Sequence, residues 1–241
     1  MIKLAISGCH GRMGQAICKL AFNEPNTFTV KTLLEHKDHP KVKEQIHSIV
    51  PSITKDCLAG CDVLIEFTLP EPTMEALDAC VKHKVKMVIG TTGLTPEQIK
   101  KIEQASKHIA IVYSSNMSIG VNVMFKLIEM ASEKLGPLTS EINITETHHI
   151  HKKDAPSGTA KTMLQFAEKF SGKKVNPIES IREGEVVGYH KITFETNEDT
   201  LSIIHNAKDR TMFAKGALEA AKFLMTKNQG LFNMKDVLNL N

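Results

Sequence analysis

Titratable side chains crowd one short segment in the middle of the chain. His148, His149 and Lys152 lie within five positions of one another, and residues 157–159, which follow, read Ser-Gly-Thr. Histidine changes its charge near neutral pH, which makes His148 a candidate general acid or base. Lysine adds a positive charge that attracts an anionic substrate. The segment therefore predicts proton transfer next to a bound anion.

The Ser-Gly-Thr turn predicts the start of a helix that binds this anion. Ser157 can cap the helix by accepting a backbone hydrogen bond, which leaves the amides of Gly158 and Thr159 directed outward. His149 and Lys152 can add charge to the same site. A carboxylate is therefore the expected ligand.

A metal site and a solvated loop are two alternatives for the same cluster. Three histidines, His148, His149 and His151, together with Asp154 have the ligand chemistry for zinc. On a strand, however, His149 and His151 share one face and His148 occupies the other, so convergence needs an irregular turn. The segment could also be a basic loop exposed to water. We favour the anion-binding, proton-transferring interpretation and predict no metal.

A glycine-rich turn near the start of the chain predicts a dinucleotide site. The sequence GCHGRMG lies between an apolar run and a segment with helical spacing. Gly8 permits the tight turn, Gly11 lets the backbone approach a pyrophosphate, and Gly14 lets the helix pack closely on the sheet. Arg12 and Met13 would begin that helix, whose free N–H groups bind phosphate.

The residues after the second predicted strand bear on which dinucleotide is bound. Glu35 follows Gly14 by 21 positions, where an acidic residue usually holds the ribose 2′-hydroxyl of NAD. His36 and Lys37 come next, and their positive charge suits the 2′-phosphate of NADP. Both NADH and NADPH therefore remain candidate cofactors.

The elements that must position these residues alternate in the first half of the chain. Apolar runs predict strands at 2–7, 28–34, 62–67, 86–89 and 109–113, and helical spacing predicts helices at 12–22, 71–83 and 95–107, with a further short helix possible at 42–49. Strands that alternate with helices form a parallel sheet covered on both faces. At the carboxyl edge of such a sheet, Thr68 and the segment Gly90, Thr91, Thr92 suit a nicotinamide ribose.

The order of elements changes after Ser118. A helix at 121–135 and a strand at 140–147 precede a helix that begins near Ser157, and three strands predicted to be antiparallel follow at 178–181, 186–195 and 200–207. The last helix is predicted at 211–226. We therefore predict a dinucleotide-binding domain at 1–118 plus 211–241, and an inserted α+β domain for substrate binding and oligomerisation at 119–210.

Composition excludes several classes of protein. Thirty basic and 27 acidic residues give a net charge of +3, and no block of five like charges indicates a nucleic-acid partner. No apolar run reaches the ~18 residues that span a membrane. Five cysteines form no CxxC pair, which is typical of reduced thiols in a cytoplasmic protein.

Several of these motifs together resemble one enzyme family. The string ETHHIHKKDAPSGTA at 146–160 closely resembles the signature of 4-hydroxy-tetrahydrodipicolinate reductases, nicotinamide-dependent enzymes of the diaminopimelate route to lysine. The resemblance extends over nearly the whole chain, through GCHGRMG, DVLIEFTLPE, GTTG, SSNMSIGVN, VGYH and DRTMFAKGALEAA. It implies a Rossmann-like domain with a smaller mixed-sheet domain, assembly as a homotetramer, and NADH- or NADPH-dependent hydride transfer to a cyclic, unsaturated dicarboxylate.

The resemblance also implies roles for individual residues. His148 would be the proton donor or acceptor and Lys152 a proton donor, while His149, Gly158 and Thr159 would bind a substrate carboxylate. The positions implied to line the cofactor are Gly8, Gly11, Arg12, Met13, Gly14, Glu35, Gly90, Thr91, Thr92, Ser114, Ser115, Asn116 and Met117.

The chain departs from the family pattern at a few positions. Asn143 replaces an early glutamate of the signature, Met117 replaces a phenylalanine, and Cys9 and His10 replace a smaller pair in the glycine turn. His36 stands where the family often has arginine, so the cofactor preference stays open. The stretch from 36 to 60 is short.

Three alternative functions are considered. A related amine or amino-acid dehydrogenase would not need the complete DAPSGTA loop. A zinc-dependent hydrolase would use the histidine cluster as ligands. A dinucleotide sensor without catalysis would have no use for His148 and Lys152 as proton donors.

Overall fold

A computed structural model of the chain describes residues 1–52 and 54–240. Its strands are β1 (Ile2–Ser7), β2 (Phe28–Leu34), β3 (Val63–Glu66), β4 (Lys86–Ile89), β5 (Ala110–Tyr113), β6 (Glu141–His148), β7 (Glu179–Arg182), β8 (Gly188–Glu195), β9 (Thr200–Ala207) and β10 (Gly230–Phe232). Its α-helices are α1 (Arg12–Asn23), α2 (Pro70–His83), α3 (Pro96–Ala105), α4 (Ile119–Leu135), α5 (Gly158–Ser171), α6 (Thr211–Leu224) and α7 (Met234–Val237).

The chain divides into two compact units. The first unit contains Met1–Ser118 and the chain from Thr211 onward, and the inserted unit is Ile119–Arg210. Each has its own sheet and its own apolar core.

The first unit is built on a parallel sheet with the strand order β10-β5-β4-β3-β1-β2. Its central strands are apolar on both faces, because helices cover both sides: Leu4, Ala5 and Ile6 of β1 are fully buried. From β1 the order runs through β2 in one direction and through β3, β4 and β5 in the other. The carboxyl ends of β1 and β3 therefore form a topological switch point, where open α/β sheets bind ligands.

The end of the chain completes this sheet. Helix α6 packs against α1, and β10 pairs with the edge strand β5. The packing on α6 is close: a Cβ atom on Gly216 would lie 1.7 Å from the carbonyl oxygen of Met117. The first unit therefore depends on residues from both ends of the chain.

The inserted unit has a mixed sheet with the order β7-β6-β8-β9. Strands β6, β8 and β9 are antiparallel neighbours, as the alternation of their residues predicts. The α/β class, a Rossmann-like parallel sheet with a separate mixed-sheet region, is confirmed.

Some sequence predictions are wrong in detail. The strand near 178–181 was expected to be antiparallel, but β7 runs parallel to β6, because α5 lies between them and forms a crossover. Residues 42–49 form turns and not a helix. His47 and Ser48 have φ angles of 46° and 67°, which no right-handed helix allows.

Three short elements were missed. They are β10, α7 and one turn of 3₁₀ helix at Lys55–Leu58. For α7 a signal was present, since Asn233 and Asp236 form a capping box. Among the described residues, no helix combines the length and apolar character needed to cross a membrane.

Candidate functional site

The glycine turn in the first unit is tightly packed at its glycine positions. Gly8 adopts a φ of +66°, which favours glycine, and a Cβ atom on Gly14 would lie 2.1 Å from the carbonyl oxygen of Gly8. Gly11 is the N-cap of α1 and supplies no side-chain cap. A ligand can therefore approach the N-terminus of α1 closely. Arg12 and Met13 form the first turn of this helix, and its free N–H groups fit a dinucleotide pyrophosphate.

Glu35 lies against the same turn. Its carboxylate accepts hydrogen bonds from the backbone N–H groups of His10 and His36, both at 2.9 Å. A carboxylate offers about four acceptor positions, so it can still accept from ribose hydroxyls. The His36 ring is exposed, with its Nδ1 atom 3.7 Å from Asp38. His10 stacks on His39 at 5.4 Å between ring centroids, a contact that the sequence did not predict.

The other predicted cofactor residues follow β4 and β5, at the same carboxyl edge of the sheet. A Cβ atom on Gly90 would lie 2.2 Å from the ring of Phe67, so any side chain there would displace that ring. Thr91 is buried and accepts a hydrogen bond from Thr73 at 2.8 Å. After β5, the Ser114 hydroxyl donates to the Asn116 carbonyl at 2.9 Å. Thr92 and Ser115 are exposed, whereas the Met117 side chain is buried in the core.

The inserted unit holds His148 at the end of β6, beside a buried carboxylate. Glu146, two residues earlier on the same strand, is fully buried, and its Oε2 atom is hydrogen-bonded to His148 Nδ1. Its Oε1 atom accepts from Arg182 Nη2 at 2.9 Å and from the Ser157 N–H at 3.4 Å. Arg182 reaches Glu146 because β7 pairs with β6. The carboxylate therefore has hydrogen-bond donors on both oxygens.

A second buried histidine, His190 on β8, faces the first. The rings of His148 and His190 are 5.0 Å apart and nearly perpendicular. His190 Nε2 is hydrogen-bonded to the Ser157 hydroxyl at 3.2 Å. Ser157 is also the N-cap of α5, as the sequence predicted, because its hydroxyl accepts from the Ala160 N–H. Gly188 leaves space here, since its Cβ would lie 3.1 Å from His148 Nε2.

The remaining predicted residues lie in the loop between β6 and α5. Lys152 is ion-paired with Asp154 at 2.7 Å. His149 lies beside His151, with ring centroids 6.0 Å apart, and within the described chain its Nδ1 atom is buried without a hydrogen-bond partner. Gly158 and Thr159 begin α5, and a Cβ on Gly158 would meet no atom within 4 Å. The start of this helix is open to a ligand at that position.

Burial and hydrogen bonding shift the pKa values of the buried residues Glu146, His148 and His190. Burial alone would raise the pKa of Glu146, but the hydrogen bonds from Arg182 and His148 outweigh it and lower that pKa below its usual value. Burial lowers the pKa of His148, although Glu146 opposes this shift. Burial lowers the pKa of His190 to about 4. Near neutral pH, Glu146 is therefore ionised and His190 is neutral.

The arrangement of donor atoms also bears on the metal alternative. Glu146, His148 and His190 have potential ligand atoms within 4.8 Å of one another in the described structure. This group differs from the set considered from the sequence, in which His151 and Asp154 took part. Arg182 already occupies one oxygen of the carboxylate, and a guanidinium repels a metal cation.

Sequence reasoning missed Glu146, Arg182, His190 and Gly188 as parts of this site. Glu146 precedes His148 by two positions on a strand, so both side chains lie on one face, and this spacing could have identified it. Arg182, one of only three arginines, was also a detectable signal. His190 and Gly188 become neighbours only through the pairing of β6 with β8.

Comparison with known proteins identifies one family over both units of the chain. The family model described as "Dihydrodipicolinate reductase, N-terminus" matches residues 2–117, and "Dihydrodipicolinate reductase, C-terminus" matches residues 120–238. The 4-hydroxy-tetrahydrodipicolinate reductase of Nitrosomonas eutropha is 37% identical over all of this chain and 99% of its own. That of Nitrosomonas europaea is 38% identical over 99% of this chain and 98% of its own.

A solved structure shares the fold. It is the dipicolinate-bound dihydrodipicolinate reductase from Paenisporosarcina sp. TG-14, with a TM-score of 0.84, 24% identity and 97% of each chain covered. The two family matches cover both units, and the relatives extend over the full length. This chain belongs to the dihydrodipicolinate reductase family.

Proposed function

We propose that the protein reduces 4-hydroxy-tetrahydrodipicolinate to tetrahydrodipicolinate, using NADH or NADPH, in the diaminopimelate route to lysine. Membership of the family supports this reaction, because the relatives are named as reductases of this substrate. The observation that carries the proposal in the structure is the buried Glu146–His148 pair followed directly by Lys152 and the open start of α5. This segment would provide a proton and an anion site together.

The first unit would hold the dinucleotide. Gly8, Gly11 and Gly14 would receive the pyrophosphate, and Glu35 would accept from a ribose hydroxyl. The residues after β4 and β5 would contact the nicotinamide end. The bound dinucleotide supplies a hydride to the substrate. Because the Glu35 carboxylate and the neighbouring His36 favour opposite forms of the ribose, both dinucleotides are proposed to bind.

The inserted unit would bind the substrate and move the proton. His148 would transfer a proton at the reacting centre, and Lys152 would donate a proton and attract a substrate carboxylate. His149, Gly158 and Thr159 would hold a carboxylate at the start of α5. Lys152 is ion-paired with Asp154 in the described structure, so on substrate binding a carboxylate of the substrate would replace Asp154 as the partner of Lys152. None of these steps needs a metal ion.

Assembly and location are also proposed. The edge strand β9 exposes Leu201 and Ile204, with 40% and 54% of their surface accessible, which suits burial between copies in a homotetramer. All five cysteines are free thiols, which suits a reducing compartment such as the cytoplasm.

The direct test is a coupled assay. The condensation product of pyruvate and aspartate semialdehyde is supplied with NADH or NADPH, and loss of nicotinamide absorbance is followed. We expect oxidation of both dinucleotides, by protein whose metal content is below stoichiometric. Absence of oxidation with both dinucleotides would reject the proposed reaction, and activity that is lost on chelation would reject the metal-free mechanism.

A further inference from the structure

The carboxylate of Glu146 lies where a core side chain is expected. It is on β6, between the buried residues Ile144 and His148, and it is fully buried itself. An ionised carboxylate costs several kcal/mol to bury unless it is paired and hydrogen-bonded. Arg182 and the Ser157 N–H donate to one of its oxygens, and the other oxygen is hydrogen-bonded to His148 Nδ1.

This contact determines which nitrogen of His148 carries a proton. An ionised carboxylate only accepts hydrogen bonds, so His148 Nδ1 must be the donor. The neutral ring then has its lone pair on Nε2, and the protonated ring has its transferable proton there. Nε2 lies beside Gly188, whose missing side chain leaves space next to that atom. The reactive nitrogen is therefore the one that does not contact Glu146.

We propose that Glu146 is the positioning residue of the proposed reaction: it fixes His148 as the Nδ1–H tautomer with Nε2 directed at the substrate, and Arg182 holds Glu146 in place. In the transfer, the Nε2–H bond of the imidazolium breaks and its proton goes to the substrate atom that carries the electron pair left by hydride addition. The imidazole is left neutral, and Glu146 stays ionised throughout. Solvent restores the proton for the next turnover. This inference rests on the proposed function.

His190 shows that burial next to Ser157 is not sufficient for this role. It is as buried as His148, but in the described structure its hydrogen bond is to the Ser157 hydroxyl and not to a carboxylate. Its ring therefore stays neutral near physiological pH. Of the two adjacent imidazoles, His148 is the one that is hydrogen-bonded to a carboxylate in the described structure, and this contact stabilises its charged form.

The variant Glu146→Gln tests the proposal because its amide can fit in only one orientation. Arg182 and the Ser157 N–H both donate to the Oε1 position, so the amide oxygen must face them. The amide NH₂ group then faces His148 Nδ1 and donates to it, which forces the opposite tautomer. The change conserves size and removes one charge.

We expect Glu146→Gln to lower kcat about 100-fold, at the low end of what general acid catalysis contributes, while the Kd of the dinucleotide changes less than threefold. The high-pH limb of the kcat profile, on which His148 loses the proton that it donates, should move to lower pH, because an N–H donor facing Nδ1 opposes the imidazolium. Glu141→Gln is the matched control: it makes the same change on the same strand at an exposed position, and should leave kcat within twofold.

A double variant separates positioning from a structural role. If Glu146 acts through His148, Glu146→Gln should add less than threefold to the loss of kcat that His148→Gln already causes. An equal, multiplicative loss in the two backgrounds would overturn the proposal.

A measurement on the unmodified protein needs no variant to fold. The ¹⁵N chemical shifts of the His148 ring in labelled protein report its neutral tautomer, and we expect a protonated Nδ1. An unprotonated Nδ1 would overturn the positioning role. If the reductase assay shows no activity while the tautomer is as expected, the proposed function fails and the proposed Glu146–His148 geometry stands.

Discussion

Removal of the Arg182 guanidinium tests the energetics of the cluster most directly. Arg182→Met keeps much of the side chain's length and takes away its charge. It deletes the 2.9 Å hydrogen bond to Glu146, and those to the backbone carbonyls of Asp154 and Ile181 at 2.6 and 2.7 Å. Glu146 would then be a buried carboxylate with His148 and one backbone N–H as donors.

The expected loss of stability in Arg182→Met follows from the burial of Glu146 and Arg182. Breaking a buried ion pair by removing one partner costs about 3–5 kcal/mol. The Arg182 side chain is 20% exposed, and Glu146 retains its other donors, so the lower end applies to the pair. We expect the free energy of unfolding at pH 7.5 to fall by about 3 kcal/mol. The double variant Arg182→Met with Glu146→Gln removes the unpaired charge as well, and should be more stable than Arg182→Met alone by about 1–2 kcal/mol.

Urea unfolding followed by circular dichroism measures both differences. The pH dependence gives a second signature. In the unmodified protein the pKa of Glu146 is lowered, so the pair stabilises the fold above the carboxyl's unfolded pKa, and this stabilisation is lost as the pH falls through the folded pKa. The difference between Arg182→Met and the unmodified protein should therefore shrink as the pH falls below about 5. A loss under 0.5 kcal/mol at pH 7.5, or a double variant less stable than Arg182→Met, would refute the reasoning.

Four further predictions concern single residues. Glu35→Ala should weaken NADH binding about tenfold or more, because a hydrogen bond to a charged group is lost, and should shift the preference toward NADPH; fluorescence titration with each dinucleotide measures this, and an unchanged ratio would contradict it. Lys152→Met should lower kcat and raise the KM for substrate in steady-state kinetics, because it removes a proton donor and a ground-state contact; an unchanged KM would show that the ammonium does not bind the substrate. Gly14→Ala should destabilise the first unit by about 1–3 kcal/mol and weaken dinucleotide binding, since its Cβ would lie 2.1 Å from the Gly8 oxygen. An unchanged dinucleotide affinity in fluorescence titrations would contradict the proposal that this turn binds the pyrophosphate. The pKa of His190 is about 4 in the folded protein, below its unfolded value, so its contribution to the free energy of unfolding falls by about 1.4 kcal/mol per pH unit as the pH drops below about 6.5. His190→Asn should therefore make the free energy of unfolding in urea depend less on pH. An unchanged pH dependence would contradict a buried neutral ring.

Most of the first unit could be predicted from the sequence, because its strands are continuous apolar runs and its turns carry local signals. The pattern gave the Rossmann-like class and the helix that Thr95 begins with its capping box. The exceptions depend on distant contacts. Strand β10 contains three residues and exists because β5 offers an unpaired edge. Residues 42–49 have apolar positions at helical spacing, but the left-handed backbone at His47 prevents a helix.

The histidine site was predictable only in part. The motif at 146–160 identified His148 and Lys152 as candidates for chemistry, because their types and spacing are local features. It did not identify Arg182 or His190, because strand pairing brings each of them to the site from more than 30 positions away. The motif also gave no role to Glu146, although a carboxylate and a histidine two positions apart on a strand must share one face.

The return of the chain to the first unit has a consequence for protein synthesis. Gly230 follows Tyr113 by 117 residues, so β5 leaves the ribosome long before its partner β10. At about 5–20 residues per second this interval lasts roughly 6–23 s. During that time the nascent chain carries an open sheet edge and an α1 surface that lacks α6. The inserted unit emerges within the same interval, and its last residue, Arg210, precedes Gly230 by 20 residues, so this unit can fold before β10 is made. The inserted unit is therefore the part expected to acquire protease resistance first on stalled ribosomes, and the helix α1 that follows the glycine turn would gain its packing partner only when α6 is made.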